Sequence, residues 1–263
     1  MENAMHSTLV VRGDDRSLYR TADGYLFWLD ENKPLDRSII QTGIYDLSGT
    51  RVIASLVKQG DIVIDIGANI GYYTVLMQSL AGETGRVLAF EPAACISDVL
   101  RRNVSTNKMG NCDVFQVGLS DHSGSGTLYI SAECVSLHRV MDTVPASSET
   151  VSLISLDEFV HTFGAPEKID FIKMDVDGHE PYVLNGAWQT LERFDPVLMI
   201  NISHEYYLAA GMTAWDFYYL LKDKGYFIYY DDNLDEIMTK HQFLVKCANF
   251  DRNVNIIISR HKL

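Results

Sequence analysis

The chain has 263 residues, with 22 Lys and Arg against 35 Asp and Glu, for a formal net charge of −13. Hydrophobic residues make up 47% of it, enough for a core, which excludes a disordered chain. The acidic balance and the absence of any Lys/Arg-rich run argue against nucleic acid or a membrane surface as partner.

In chain order, Thr8 to Arg12 and Tyr25 to Asp30 read as short strands, and residues 46 to 58 carry apolar residues at helical spacing. A different rhythm then begins. Asp61 to Ile66 is a β-branched run ending in glycines, followed by a helix over Ile70 to Ala81. Strand Arg86 to Glu91, helix Ile96 to Lys108 and strand Asp113 to Val117 come next. Residues 118 to 169 interrupt this rhythm with two further strands, Thr127 to Ser131 and Val151 to Leu156, around a polar loop near Pro145 to Glu149, and read as an insertion. Strand Asp170 to Asp175, helix Pro181 to Glu192 and strand Pro196 to Ile202 restore the alternation. Helix Thr213 to Lys224 has a capping-box pair in Thr213 and Asp216, and strands Tyr226 to Tyr230 and Val254 to Ser259 complete the set. Strands alternating with helices predict a seven-stranded, mostly parallel α/β sheet with helices on both faces and an insertion before the fourth strand. The expected organisation is an N-terminal β/cap element over residues 1–45 and one domain over 46–263.

Cys95, Cys112, Cys134 and Cys247 form no C-x-x-C pair and read as reduced thiols. No basic segment followed by an apolar run opens the chain. Its longest charge-free stretch, Ile66 to Gly82, falls short of the ~20 apolar residues of a membrane span. The expectation is a soluble, cytoplasmic protein with no membrane partner; a homo-oligomer is left open.

Residues 65 to 71, Asp-Ile-Gly-Ala-Asn-Ile-Gly, join a predicted strand to a predicted helix. In that context Gly67 and Gly71 permit a tight turn and close approach of backbone to ligand. Glu91 ends the next strand, where an acid suits the ribose hydroxyls of an adenine nucleoside. A carboxylate at Asp65 would repel a pyrophosphate, whereas S-adenosylmethionine has no phosphate and carries an ammonium and a sulfonium. The charge pattern therefore favours S-adenosylmethionine over a nicotinamide dinucleotide.

Ligands of open α/β sheets sit outside the carboxyl ends of the strands. There the chain places Asp175, Asp177, His179 and Glu180, and after the following strand Asn201, His204 and Glu205. An alcohol is a poor nucleophile until its proton is removed. A general base would do this, with Asp175, His179 and His204 as candidates. Alternatively a divalent cation, Mg2+ on this oxygen-rich set, would lower the hydroxyl pKa, with Asp175, Asp177 and Asn201 as ligands. Tyr206 and Tyr207 follow closely and could wall an acceptor pocket.

The stretches Gly43-Ile44-Tyr45-Asp46, Gly60-Asp61, Asp65 to Tyr72, Phe90-Glu91-Pro92, Leu119-Ser120-Asp121, Ser155-Leu156-Asp157 and Ile172 to Glu180, with Val183-Leu184 and Gly186-Ala187, occur in an order that resembles the FkbM family of S-adenosylmethionine-dependent methyltransferases. The resemblance implies a class I methyltransferase (Rossmann-like) fold and O-methylation of a small hydroxylated acceptor, such as a sugar. It also implies a cofactor-binding set of Asp65, Gly67, Ala68, Asn69, Gly71, Tyr72, Glu91, Pro92, Leu119, Ser120 and Asp121. Asp65 to Gly71 would line the methionine end, Glu91 would hold the ribose, and Leu119 to Asp121 would lie near the adenine. Asp177 and Asn201 stand where the family often has Glu. A nicotinamide-dependent oxidoreductase and a non-catalytic cofactor-binding scaffold are the competing readings.

Overall fold

The computed structural model describes residues 6–131, 135–138, 145–202, 204–247 and 254–263, and of His204 and Glu205 it describes the backbone alone. The N-terminal element opens with antiparallel strands β1 (Thr8–Val11), β2 (Ser17–Arg20) and β3 (Leu26–Leu29), hydrogen-bonded in that order. Helices α1 (Pro34–Thr42) and α2 (Leu47–Leu56) follow. Neither β2 nor α1 is legible in the periodicity. Pro34 sits in the first turn of α1, where its missing N–H leaves no gap. Asp46 caps α2 by accepting the Gly49 N–H at 3.0 Å.

The alternation expected from the sequence comes next: β4 (Ile62–Ile66), α3 (Tyr72–Ala81), β5 (Arg86–Phe90), α4 (Ala94–Thr106) and β6 (Cys112–Phe115). Residues of the insertion form β7 (Gly118–Leu119), β8 (Gly124–Ile130), β9 (Val135–Ser136) and β10 (Ser147–Ile154), a separate sheet of order β7-β10-β8-β9. β10 begins inside the stretch expected as a polar loop. Leu156, expected to end a strand, instead starts helix α5 (Leu156–Phe163), because the Ser155 hydroxyl accepts the Glu158 N–H and caps it.

Beyond the insertion come β11 (Phe171–Met174), α6 (Glu180–Asn185) and α7 (Trp188–Phe194). The single helix expected over Pro181 to Glu192 is thus two. At Gly186 the chain passes so close to the Ser120 backbone that a Cβ would collide with its carbonyl oxygen. The chain ends with β12 (Val197–Ile202), α8 (His204–Ala209), α9 (Ala214–Asp223), β13 (Phe227–Tyr230), α10 (Lys240–Cys247) and β14 (Val254–Ser259). The Thr213/Asp216 capping box is formed at α9 as read.

The large sheet has seven strands in the order β13-β14-β12-β11-β4-β5-β6. Only β14 runs antiparallel to its neighbours. This is the class I methyltransferase arrangement. Apolar side chains pack on both faces, with Ile64, Ile66, Phe90, Ile172 and Ile200 in one cluster and Val63, Val87, Phe171 and Met199 in the other. Each such burial stabilises the fold by roughly 1.5–3 kcal/mol. The N-terminal element is pinned to α4, where the side chains of Asn103 and of the C-cap residue Asn107 accept the Trp28 and Leu26 N–H groups at 2.8 and 3.0 Å. Among the described residues no helix is long and apolar enough to cross a membrane. Cys95, Cys112 and Cys247 are free thiols, and Cys134 lies outside the described residues.

Candidate active site

Strand order reverses between β4 and β11, the place where an open α/β sheet leaves a crevice at its carboxyl edge. A cavity of about 600 Å3 opens there. One side is the loop after β4 and the ends of β5 and β7, with Gly67, Ala68, Asn69, Tyr72, Glu91, Pro92 and Leu119 on its wall. The other is the turn after β11, with Asp175, Asp177 and His179. Tyr45 from the N-terminal element, Val135 and Leu137 from the insertion, and Tyr206 from α8 also line it.

The loop after β4 is drawn tight. Gly67 has φ +74°, and a Cβ there would strike the Asp175 carbonyl, so the position requires glycine. Its backbone donors are all engaged. The Gly67 and Ala68 N–H groups both donate to the Phe90 carbonyl at 3.0 Å, and Gly71 N–H donates to the Ala68 carbonyl at 2.9 Å. Asn69 N–H donates to Glu91 Oε2 at 2.9 Å, and Ile70 N–H to the Asn69 side chain at 2.8 Å. Glu91 also accepts the Ala93 N–H at 2.9 Å. Burial pushes its carboxyl up to about 7, against the pull of those two donors. The N–H groups of Gly67 to Gly71 are therefore spent within the loop and its neighbouring strand end.

Asp65 is not on the wall. It is fully buried behind the loop, where Oδ2 accepts the Thr74 hydroxyl at 2.6 Å and Oδ1 lies 3.3 Å from Lys173 Nζ. The Lys173 ammonium also donates to the Gly67 carbonyl at 3.0 Å and stands 3.9 Å from Asp175 Oδ2. Burial works against its charge, but Asp65 and Asp175 outweigh that and raise its pKa. The expectation that Asp65 meets a ligand ammonium is thus corrected: its charge is answered by Lys173, a residue the sequence reading left without a role. The signal was present as a lone charge in the apolar strand Phe-Ile-Lys-Met.

Of the adenine-side set, Leu119 lines the cavity, while the side chains of Ser120 and Asp121 are turned elsewhere. Ser120 is buried with its hydroxyl 2.9 Å from His179 Nε2, and Asp121 pairs with His122 at 2.6 Å near the surface. Gly71 packs against Leu100 of α4.

On the acceptor side, Asp175 and Asp177 both reach the wall. Burial, opposed by Lys173, raises the Asp175 carboxyl, and burial together with the Asp175 charge brings Asp177 to about 7. Asp177 has φ +49°, its Oδ2 accepts the Val135 N–H at 3.2 Å, and its carbonyl accepts the Ser136 hydroxyl at 2.8 Å. His179 has both ring nitrogens engaged, Nε2 with Ser120 and Nδ1 with His138 Nε2 at 2.9 Å, and stacks on Tyr182 at 4.7 Å. Burial pushes its pKa down to about 3, and both ring nitrogens already face protein partners, which counts against its candidacy as base. His204 opens α8, and its side chain lies outside the described residues.

Asn201, offered as a metal ligand with Asp175 and Asp177, is off the cavity wall. Its Nδ2 donates to Asn255 Oδ1 at 3.1 Å, and Asn255 Nδ2 donates to Asp46 Oδ2 at 2.9 Å. Tyr73 also donates to Asp46, at 2.6 Å, so the network ties β14 and β12 to the start of α2 and to α3. Among the described residues no three His, Cys, Asp or Glu side chains converge to hold a metal ion. Tyr207, the other expected pocket wall, is core, with its hydroxyl 3.4 Å from the Asn201 carbonyl.

A family profile described as "Methyltransferase FkbM domain" matches residues 65–244. A hexuronic acid methyltransferase, AglP, from Haloferax volcanii is 30% identical over 160 residues, a match covering 59% of this chain and 64% of that protein. The match thus spans a little under two thirds of that relative. The methyltransferase sdnD of Sordaria araneosa is 29% identical over 194 residues, covering 62% of this chain and 73% of that one. The solved structure of a methyltransferase FkbM from Methylobacillus flagellatus KT aligns with TM-score 0.43 and 19% identity, over 75% of this chain and 43% of that one. With the profile match extending over most of its length, the chain belongs to the FkbM methyltransferase domain family.

Proposed function

We propose that this chain is an S-adenosylmethionine-dependent O-methyltransferase that transfers a methyl group to a hydroxyl of a small molecule, a sugar or glycosylated metabolite, in the cytoplasm. The observation that carries the reading is the composition of the cavity wall. Three carboxylates, Glu91, Asp175 and Asp177, face it at the strand-order switch beside Lys173, Asp15 and Asp36 accompany Arg16 and Lys33 elsewhere on the wall, and the N–H groups of the loop after β4 are consumed internally. Such a wall suits a ligand bearing a sulfonium and an ammonium. The pyrophosphate of a nicotinamide dinucleotide needs the opposite, free N–H groups and few acids.

Gly67, Ala68, Asn69, Tyr72, Glu91, Pro92 and Leu119 would hold the nucleoside, with the lone pairs of Glu91 not used by Asn69 and Ala93 left for ribose hydroxyls. Bound there, S-adenosylmethionine supplies the activated methyl group. Lys173 holds Gly67 and Asp175 in fixed relation, which keeps the two halves of the site in register. Tyr45 stays a phenol, its pKa pushed up by burial and by the Asp175 and Asp46 charges, and can donate to an acceptor oxygen. The name of the Haloferax relative, a hexuronic acid methyltransferase, supports a sugar-like acceptor.

Calorimetric titration with S-adenosylmethionine, S-adenosylhomocysteine and NAD+ tests the reading. Micromolar binding of the first two, weakened at least tenfold by Glu91→Ala, is expected. Binding of NAD+ alone would reject it in favour of an oxidoreductase.

A further inference from the structure

We propose that the ring of Tyr45, brought to the cavity by the N-terminal element, is the surface that tells the sulfonium form of the cofactor from its uncharged product form, a proposal that rests on the methyltransferase reading above. Tyr45 stands where the two sides of the cavity meet. Its ring crosses those of Tyr72 and Tyr73, which start α3 straight after the glycine loop, with centroids 5.8 and 6.2 Å away and planes at 70° and 71°. From the other side, the Asp175 and Asp177 charges join burial in raising the pKa of its phenol. A methyl group passing from the nucleoside side to the acceptor side crosses this seam.

The surroundings hold the ring in place. Tyr45 directly precedes Asp46, whose carboxylate accepts the Gly49 N–H, the Tyr73 hydroxyl and the Asn255 amide at 3.0, 2.6 and 2.9 Å. Tyr72 and Tyr73 cross each other at 80°, and the Tyr72 hydroxyl lies 3.3 Å from that of Thr50 in α2. Three near-perpendicular rings thus form one corner of the wall.

The other rings on the wall are less available. Phe27 stacks on Tyr72 at 5.8 Å, and Lys173 Nζ stands 5.4 Å over Tyr73. Both tyrosines are buried, whereas Tyr45 is 37% exposed. Phe90 stacks on Phe115 at 5.1 Å, and His179 stacks on Tyr182. Tyr206 packs on Gly178, on the acceptor side. Among the described residues no ring stacks flat on Tyr45 and no cation stands over it.

A ring face carries negative charge density and attracts a cation within about 6 Å, most strongly where water is excluded. It also suits an alkylating cation better than a carboxylate does, because the face offers no lone pair to the methyl carbon. S-adenosylmethionine and S-adenosylhomocysteine share their ammonium, carboxylate and nucleoside and differ in the charge at sulfur. The ring therefore adds affinity to one form alone and favours release of the other.

Calorimetric titration of the full chain with both ligands tests this. In Tyr45→Leu the ratio of S-adenosylmethionine to S-adenosylhomocysteine affinity should fall about 3- to 30-fold. In Tyr45→Phe, which keeps the ring, it should stay within about twofold of wild type. A fall of less than about threefold in Tyr45→Leu overturns the proposal. So does an equal fall in Tyr45→Phe, which would assign the selection to the hydroxyl, or a fall in Tyr206→Leu with none in Tyr45→Leu. Should Tyr45→Leu fail to fold, phenylalanine bearing successive ring fluorines at position 45 keeps the shape while draining charge from the ring face. S-adenosylmethionine affinity falling stepwise with fluorine count, with S-adenosylhomocysteine affinity steady, is then expected. A parallel fall in both would put the ligand ammonium on the ring, and no trend would leave the ring to the acceptor; either overturns the proposal while leaving the methyltransferase reading intact. Wild-type protein that binds neither cofactor form removes both readings together.

Discussion

Lys173 Nζ lies 3.3 Å from Asp65 Oδ1, with both side chains withdrawn from solvent, on positions directly paired between β11 and β4. The pair sits under the glycine loop at the point where strand order reverses, so the two halves of the cavity are joined by one buried charge contact. Removing one partner strands the other. Lys173→Met should cost ~3–5 kcal/mol of stability, and Lys173→Met with Asp65→Asn should recover much of that. Denaturant unfolding of the two singles and the double would measure this; equal losses in the single and double variants would mean the pair is not coupled.

Gly67 has a left-handed backbone and no room for a Cβ beside the Asp175 carbonyl. Gly67→Ala is expected to destabilise by about 2 kcal/mol or more, through strain and the displaced end of β11. The displacement should also weaken S-adenosylhomocysteine binding at least tenfold. Thermal melts with and without that ligand check both parts.

Stability should fall as pH rises from 6.5 to about 8. The carboxyls of Glu91 and Asp177 titrate near 7 in the fold and that of Glu180 near 8, all raised chiefly by burial. The folded state therefore binds protons that the unfolded chain has released. The stability this contributes is fully present below the usual carboxylate pKa and is lost as pH passes through the folded values. His179 acts in the opposite sense, but between about 3 and its usual 6.5, outside this window. Melting temperatures across pH 6.5 to 8.5 should decline, and less steeply in Glu180→Gln. A flat profile would contradict the assignment.

Asn201 serves the frame of the site. Asn201→Ala should cost about 1 kcal/mol for its lost hydrogen bond to Asn255 and leave S-adenosylhomocysteine affinity within twofold. Were Asn201 a metal ligand needed for turnover, the variant would instead lose activity and regain part of it with excess Mg2+.

Local pattern carried much of the fold. β4, β5, β11 and β12 are apolar runs buried on both faces, so hydrophobicity and the flanking glycines mark them without reference to any other part of the chain. Thr213 and Asp216 cap α9 through contacts three residues apart, which spacing alone reveals. The break at Gly186 and the start of α5 were not legible in periodicity, because Gly186 answers to Ser120, far away in the chain, and Leu156 stays apolar in either structure. The same division runs through the site. Sequence by itself determined that Asp65, Glu91, Asp175 and Asp177 gather at one sheet edge, since each ends or follows a parallel strand. Only the tertiary structure decided which of them face the cavity. Strand register places Lys173 against Asp65 and takes that charge out of the site, while β9, arriving from the insertion, holds Asp177 in it. A carboxylate's role here depends on its partner, and the partners are set by long-range pairing that no local pattern encodes.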